Sequence, residues 1–249
     1  HKDGLLDPYD EIAMGVFADK TAKKYNISRE EQDAFAIRSY KNSEATTKSG
    51  IFKKEIIGVS IPQRKGNPII VDEDEEYKNV KFEKIPQLRA AFSKDGTVTA
   101  ANASTINDGA SALVLASADA VKKYDLKPIA KILSFADTAQ APQWFTTAPT
   151  KAAPKALKLA KMTTDDVDFF EINEAFSVVP LAFNKILDIN IDKVNVHGGA
   201  VSLGHPLGAS GARIITTLNT VLQAKDASVG CAVICNGGGG ASSIIIERL

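Results

Sequence analysis

Three short stretches between residues 171 and 243 carry the side chains that could do chemistry in this chain. They are NEAF at residues 173–176, GHPLGASGAR at residues 204–213 and CNGGGG at residues 235–240, and each follows an apolar run of strand-like character. In an open α/β sheet, reacting groups gather where strands end and helices begin. The three turns are therefore predicted to converge on one site.

His205 lies in a Gly-His-Pro sequence at the start of a predicted helix. The helix dipole disfavours a positive imidazolium there, so the ring is predicted to be neutral and able to donate a hydrogen bond to an oxyanion. A capping or core histidine is the alternative interpretation. Glycines at positions 204, 208 and 211 favour the functional one, because bare backbone at a helix start allows a ligand to approach closely.

Cys235 ends an apolar strand and precedes a run of glycines. Backbone N–H groups from those glycines could lower the pKa of the thiol and also build an oxyanion hole, which makes Cys235 a candidate acid, base or nucleophile. Cys231, in mid-strand, is instead predicted to be a buried structural cysteine. Asn173 follows another strand, where it could cap a helix or hold an oxygen together with His205.

Two other kinds of site are not predicted. No carboxylate is clearly assigned to orient His205, so a nucleophilic triad is disfavoured. The potential ligands do not stand at metal spacing either.

Composition limits the class of protein and of partner. The 249 residues, 44% of them hydrophobic, are enough for one large domain or two modest ones. Thirty Lys and Arg balance thirty Asp and Glu, and no apolar run approaches the roughly twenty residues of a membrane span, so neither nucleic acid nor a membrane is a predicted partner. The two cysteines stand four residues apart on one predicted strand, too far apart for a disulfide. The predicted partner is a small molecule, and the predicted location is intracellular.

Hydrophobic periodicity predicts an alternation of helices and strands. Helices are predicted over residues 10–25, 28–50, 117–124, 150–162, 174–187 and 206–224, with a short helical turn at 107–109. Strands are predicted over residues 56–62, 67–72, 111–117, 129–137, 167–172, 194–198, 229–235 and 241–249. This order predicts an α/β fold with a mixed, mostly parallel sheet, helices on both faces and an antiparallel final strand pair. The acid-rich residues 72–86 are either a solvated loop or a lid that offers Lys78 or Lys81 to an anion.

The motifs EINEAFSVV, VNVHGGAVSLGHPLGASGAR and CNGGGGAS, preceded by GTVTAANASTINDGASALVL, resemble those of the thiolases. The resemblance covers essentially the whole chain and is strongest to members that interconvert acetyl-CoA and acetoacetyl-CoA. It implies a layered thiolase-like fold with part of a helical and loop cap. Residues 1–105 would be the second part of the coenzyme A-binding loop domain, residues 106–128 the closing strand and helix of the N-terminal domain, and residues 129–249 the C-terminal domain.

The resemblance also implies roles for particular residues. Asn173, through a held water, and His205 would form one oxyanion hole, Cys235 would shuttle the substrate proton, and the Gly237 N–H would help to close a second hole. The substrates would be coenzyme A thioesters, with no cofactor required. Implied contacts with coenzyme A or the acyl group are Leu5, Met14, Phe92, Ala100, Ala103, Ser104, Phe145, Ala175 and Phe176. A potassium ion, bound by some members, would lie at Tyr9, Ala100, Ala101, Ala103 and Val201.

The chain departs from the thiolase pattern in one important respect. Thiolases carry a nucleophilic cysteine in a segment resembling KVCASG, and no such segment occurs here. The chain is therefore expected to be a C-terminal portion that cannot complete ping-pong acyl transfer alone. Ala13 and Thr146 stand where other members have histidine and proline, and the second change bears on acceptance of 2-methylacetoacetyl-CoA.

The chain could be a non-catalytic coenzyme A-binding or structural piece, whereas a ketoacyl or HMG-CoA synthase relative is disfavoured by the GHP and CNGGGG motifs. The parent enzyme is expected to be a homodimer or homotetramer, in the cytoplasm or the mitochondrion. Without partners, residues 111–117 and the outer face of the sheet are expected to be exposed.

Overall fold

The computed structural model describes residue 2 and residues 4–249. Its helices are α1 (Met14–Lys24), α2 (Arg29–Lys48), α3 (Ala118–Lys123), α4 (Pro149–Leu159), α5 (Val178–Leu187), α6 (Ala200–Leu203) and α7 (Ser210–Ala224). Its strands are β1 (Val59–Ile61), β2 (Ile69–Val71), β3 (Ala130–Ala139), β4 (Phe169–Ile172), β5 (Val229–Asn236) and β6 (Gly240–Arg248). Within these described residues, no helix is both long and apolar enough to cross a bilayer.

The main sheet has four strands in the order β3-β6-β5-β4. β4 and β5 are parallel, whereas β6 runs antiparallel to both β5 and β3. The mixed sheet and the antiparallel final pair are confirmed. The expected bias towards parallel pairing is wrong for this sheet, because β6 folds straight back on β5 and then also pairs with β3.

Helices cover both faces of the sheet, as predicted. Along β5, Cys231, Val233 and Cys235 belong to the core that also contains α1, α4 and α5. Ala232 points the other way and packs with Ile214, Leu218 and Leu222 of α7. Successive residues of a strand face opposite sides of the sheet, so β5 is buried between two helical layers and brings Cys235 to the layer that includes α1.

The predicted strand at residues 194–198 is reduced to one parallel bridge between Val194 and Phe170. The next residue, Asn195, has a φ of 47° and ends the extended run. Its side chain accepts a hydrogen bond from Ile172 N and donates one to Ile172 O, both at 2.8 Å. An amide side chain thus takes the place of a further strand residue beside β4, which sequence periodicity does not reveal.

Residues 111–117 form no strand, contrary to the prediction. Val114 is 94% exposed and Leu115 is 74% exposed. An apolar sequence becomes a strand only where a neighbouring strand satisfies its N–H and C=O groups, and the described part of this chain places none beside it. The expected exposure of this segment is confirmed, and the predicted helical turn at 107–109 is also absent.

The helix boundaries that were predicted from capping residues are confirmed for α2. The Ser28 hydroxyl accepts from Glu31 N at 3.1 Å and the Glu31 carboxylate accepts from Ser28 N, so the predicted capping box opens α2. Gly50, at a φ of 76°, follows the end of that helix. α1 starts only at Met14, because the Asp7 carboxylate holds Tyr9 N and Asp10 N in a preceding turn.

The acid-rich segment is a solvated loop with short turns of 3-10 helix at Glu76–Lys78 and Phe82–Gln87. Lys78 Nζ lies 2.9 Å from Glu73 Oε1, so its charge is already matched, and Lys81 is exposed. Phe82 packs against a small cluster that contains Tyr40 of α2. The structure thus favours the solvated-loop interpretation over a lid.

Gly198→Ala is expected to lower the free energy of unfolding by about 3 kcal/mol or more. Gly198 has a φ of 87°, and an added Cβ would overlap Ser43 Oγ and lie 2.9 Å from Ser39 O. Gly66→Ala is the matched control, since Gly66 has a φ of 88° and nothing within 4 Å of the added carbon. The Gly66 variant should lose only about 1 kcal/mol of stability, which is the cost of the left-handed conformation alone. Urea unfolding followed by circular dichroism measures both, and equal losses would contradict this account.

Candidate active site

A cavity of about 720 Å³ lies where β5 ends, beside the start of α1 and the segment before α7. This volume is typical of small-molecule sites. His205, Cys235 and Gly237 line it. So do eight of the nine residues implied as coenzyme A or acyl contacts, namely Leu5, Met14, Phe92, Ala103, Ser104, Phe145, Ala175 and Phe176. The ninth, Ala100, is exposed and is not part of this wall.

Asn173 contacts His205, and of the two residues only His205 lines this cavity. Asn173 continues β4 by one hydrogen bond, from its N–H to Val233 O at 2.9 Å, and its side chain is buried. The His205 N–H donates to Thr105 O at 3.0 Å, which ties the GHP turn to the loop opposite. The Asn173 amide nitrogen lies 3.2 Å from His205 Nε2. The two side chains therefore contact each other, with His205 on the cavity wall and Asn173 buried behind it, and their catalytic roles stay predictions.

The His205 ring is neutral in this structure. Burial lowers the pKa of His205 to about 4, and the positive charge of Arg213 adds to the effect. The predicted neutral state is confirmed, but its main cause is burial. The helix dipole, which was the cause predicted from the sequence, acts on the ring from further away, because α7 begins at Ser210 and not at Pro206.

Cys235 is a buried thiol, not an activated one. It is 6% exposed, and burial raises the pKa of Cys235 to about 12. The prediction that neighbouring glycines lower this pKa is wrong for this structure, because the cost of placing a thiolate in an apolar surrounding is larger. At neutral pH, Cys235 is therefore an acid that holds its proton.

Cys231 is the buried structural cysteine that the sequence predicts. Its Sγ lies 3.5 Å from Ser243 Oγ, in the core and away from the cavity wall. Burial also raises the pKa of Cys231 to about 12. Both cysteines are free thiols, as expected.

The glycine run forms the tight connection between β5 and β6. Gly238 and Gly239 have φ values of 81° and 92°, which residues with a Cβ rarely adopt. A Cβ on Gly239 would also overlap the Gln140 carbonyl, whose residue donates its N–H to Gly239 O at 3.0 Å. The turn therefore holds Gly237 on the cavity wall, beside Met14.

The loop at residues 99–104 is both tightly packed and part of the site. Asn102 accepts from Thr99 N at 2.8 Å and donates to Asp33 Oδ1 of α2 at 2.9 Å, so its side chain fixes the loop to α2. Ser104 donates from its hydroxyl to Ala175 O at 3.0 Å. These bonds place Ala103 and Ser104 next to the NEAF loop, which starts before α5.

Sequence reasoning missed the residue that supports the NEAF loop. Glu174 was predicted to open a helix, but α5 begins four residues later, at Val178. The Glu174 carboxylate is fully buried and accepts from Ser39 Oγ at 2.7 Å, Asn195 Nδ2 at 2.8 Å and Val201 N at 3.0 Å. Burial raises the pKa of Glu174, although these three donors oppose the shift. A carboxylate directly after a candidate site residue was the available signal.

The structure does not bring all the residues implied for potassium into contact with one another. Ala101 and Ala103 are buried on the same loop as Ala100, whereas Tyr9 is 72% exposed. Val201 is buried against Ala36 and Tyr40. In the part of the chain that the structure describes, no hydrogen bond joins Tyr9 or Val201 to that loop.

The cavity wall also contains residues that the sequence did not single out. They come from the loop after Ser104, the GHP turn and the end of β5, and they include Thr105, Ile106, Leu207, Ile234 and Asn236. No chemical signal distinguishes most of these side chains in the sequence. Their place depends on how the segments meet.

An α/β chain with a buried thiol and a neutral imidazole on one cavity matches known family models over both of its halves. The model for the thiolase N-terminal domain matches residues 1–119, and that for the thiolase C-terminal domain matches residues 126–248. The chain belongs to the thiolase family. The finer division at residues 105 and 128 stays a prediction.

Similar proteins agree with this assignment. Mitochondrial acetyl-CoA acetyltransferase of Danio rerio is 57% identical over 99% of this chain and 59% of its own length. The Acat5 thiolase from Ascaris suum, solved in complex with coenzyme A, is 46% identical with a TM-score of 0.91, over 100% of this chain and 63% of that one. The acetyl-CoA acetyltransferase of Bacillus anthracis is 39% identical with a TM-score of 0.95, over 98% and 62%. The chain thus spans about three fifths of the length of these proteins.

Proposed function

We propose that this chain carries the enolate-forming half of a thiolase that interconverts acetoacetyl-CoA plus coenzyme A and two molecules of acetyl-CoA. The observation that carries the proposal is the single cavity on which the Cys235 thiol and the neutral His205 ring both lie. The similarity to acetyl-CoA acetyltransferases, and to a thiolase solved with coenzyme A, supports the choice of substrate.

In the cleavage direction, a thiolate attacks the keto carbonyl of acetoacetyl-CoA and the bond between the two acetyl units breaks. The electron pair of that bond stays with acetyl-CoA as an enolate. Cys235 then gives its S–H proton to the enolate carbon, while His205 and Asn173 stabilise the enolate oxygen. In the condensation direction, Cys235 as thiolate takes a proton from the acetyl methyl group, and the enolate carbon attacks the acyl-enzyme carbonyl. The bond from that carbonyl to the nucleophile's sulfur then breaks, which releases acetoacetyl-CoA and returns the nucleophile as a thiolate.

The raised pKa of Cys235 suits the cleavage direction, in which the thiol donates its proton. A carbon acid as weak as a thioester methyl group needs a proton partner that is itself a weak acid. With a pKa of about 12, the thiol is protonated at neutral pH and ready to donate to an enolate. Condensation requires the same sulfur to lose its proton first.

Neither Cys231 nor Cys235 is assigned as the attacking thiolate. Cys231 faces Ser243 inside the core, and Cys235 has the proton-transfer role. Ping-pong acyl transfer needs a separate nucleophile, so we expect no acetoacetyl-CoA cleavage from the 249 residues alone. A non-catalytic coenzyme A-binding or structural piece is the alternative.

Three further expectations belong to this proposal. A potassium ion would be held by Tyr9 and by carbonyl groups at Ala100, Ala101, Ala103 and Val201. The whole protein would be a homodimer or homotetramer. Its location would be mitochondrial or cytoplasmic, since similar proteins are named as mitochondrial or cytosolic forms.

Proton exchange on acetyl-CoA tests the proposed half-reaction without the missing nucleophile. The chain is incubated with acetyl-CoA in D2O, and loss of the acetyl methyl signal is followed by proton NMR. We expect exchange faster than in buffer, binding of coenzyme A by calorimetry, and no cleavage of acetoacetyl-CoA.

The three readouts separate the alternatives. Binding without exchange would favour the non-catalytic piece. Neither binding nor exchange from a folded sample would overturn the proposed function. Cleavage of acetoacetyl-CoA by the chain alone would show that the account of the nucleophile is wrong.

A further inference from the structure

Ser210, the first residue of α7, is fully buried, and its Oγ lies 2.6 Å from His205 Nδ1. We propose that Ser210 is a positioning residue: its hydroxyl donates to Nδ1 and so fixes His205 in the tautomer with hydrogen on Nε2. That hydrogen then lies on the side of Asn173. The role in catalysis rests on the proposed function, whereas the tautomer itself does not.

The contact between Ser210 and His205 has two possible donors. Its length of 2.6 Å is slightly below the range of about 2.7–3.2 Å that is usual for an N–H donating to oxygen. Either the hydroxyl donates to Nδ1 or an Nδ1–H donates to the hydroxyl, and the other partners of the two groups decide between them. On those partners we assign the serine as the donor and the unprotonated Nδ1 as the acceptor.

The competing acceptor for the Ser210 hydroxyl is already satisfied. Pro206 O lies 3.2 Å from Ser210 Oγ, the usual contact of a helical serine with the carbonyl four residues earlier. That carbonyl also accepts from Ala209 N at 2.8 Å and from Ser210 N at 3.1 Å. Because a carbonyl has two lone pairs, Pro206 O does not need the hydroxyl proton.

The state of the ring turns this bond into a choice of tautomer. Burial holds the pKa of His205 near 4, so at neutral pH the ring carries one N–H only. In a neutral imidazole, the hydrogen bond made by one nitrogen decides which nitrogen carries the proton. A proton donated to Nδ1 by Ser210 leaves the ring hydrogen on Nε2.

Asn173 can adapt to this tautomer. The oxygen and nitrogen of an amide side chain are interchangeable by a half-turn, and the hydrogen-bond network decides between them. Without ligand and with Oδ1 towards His205, the 3.2 Å contact becomes an N–H···O bond of ordinary length, and an enolate oxygen that binds at Nε2–H would replace Asn173 as its acceptor. Asn173 Oδ1 is buried without a protein partner in the opposite orientation, so turning the amide breaks no bond of that atom.

Nitrogen-15 NMR of the histidine rings tests the tautomer directly. Long-range proton-nitrogen correlations distinguish a ring nitrogen that carries hydrogen from one that does not. In the unaltered chain we expect His205 to be protonated at Nε2 only. His197, which is also buried but does not contact Ser210, serves as the internal reference.

The variants are Ser210→Ala, which removes the donor, and Ser210→Thr, which keeps a hydroxyl. We expect a mixture of tautomers in the first and the single Nε2–H form in the second, with the His197 signals unchanged. If the threonine does not fold, the alanine variant still decides. An Nδ1–H ring in the unaltered chain, or the same single tautomer in folded Ser210→Ala, would overturn the proposal even if proton exchange on acetyl-CoA is observed.

Discussion

Cys235→Ala is expected to reduce the rate of acetyl-CoA methyl exchange by about a thousandfold, because it removes the group that carries the proton. Cys231→Ala is the matched control. Both thiols lie on β5 and face the same side, but only Cys235 reaches the cavity. The Cys231 variant should therefore exchange at the original rate as long as it folds. Equal losses in the two variants would mean that stability, and not proton transfer, explains the effect.

The same pair of variants gives a pH dependence. Exchange requires the thiolate, and burial raises the pKa of Cys235 to about 12. Below that value the thiolate fraction, and with it the Cys235-dependent rate, should rise about tenfold for each pH unit. The Cys235→Ala sample, measured at each pH, gives the hydroxide background. A plateau near the ordinary pKa of a free thiol, about 8.5, would contradict the buried-thiol account.

His205→Ala is expected to lower the exchange rate by about a hundredfold or more, since it removes one preorganised donor to the enolate oxygen. Calorimetric binding of coenzyme A should persist, because most of the remaining cavity wall is apolar and does not depend on the ring. A loss smaller than about tenfold would remove the role assigned to His205.

His197→Asn is the control for burying and removing a histidine. Burial lowers the pKa of His197 to about 4, as it does for His205, but His197 packs against Phe52 and is not on the cavity wall. The folded His197 variant should exchange at the original rate. A similar loss in both histidine variants would point to a general change in the fold.

Features set by neighbouring residues could be predicted from the sequence. The Ser28 and Glu31 capping box and the Gly50 stop depend only on residues within α2 or next to it, and both are present. The predicted strand at residues 111–117 is absent because a strand needs a neighbouring strand for its backbone hydrogen bonds. The strand at 194–198 failed because the Asn195 side chain took over its pairing with Ile172.

The candidate site shows the same division. The approach of Asn173 to His205, and the sharing of one cavity by His205 and Cys235, were predicted from the three motifs, although Asn173 and Cys235 lie at strand ends and His205 follows α6. The direction of the Cys235 pKa shift did not, because burial depends on what packs around the sulfur. Ser210 gave no signal on its own, since a serine five residues after a histidine has meaning only once the turn of the chain brings the two side chains together.

The Glu174 hydrogen bonds have a consequence for folding kinetics. Ser39 stands 135 residues before Glu174, and Asn195 and Val201 stand 21 and 27 residues after it. Contacts between such distant segments are slow to form, because the entropy of closing a large loop is lost before the hydrogen bonds that offset it can form. The NEAF loop can reach its final geometry only after α2 and residues 195–201 have docked. Catalytic competence should therefore arise at the end of folding, so a sample trapped in a partly folded state would retain helix content without a working site.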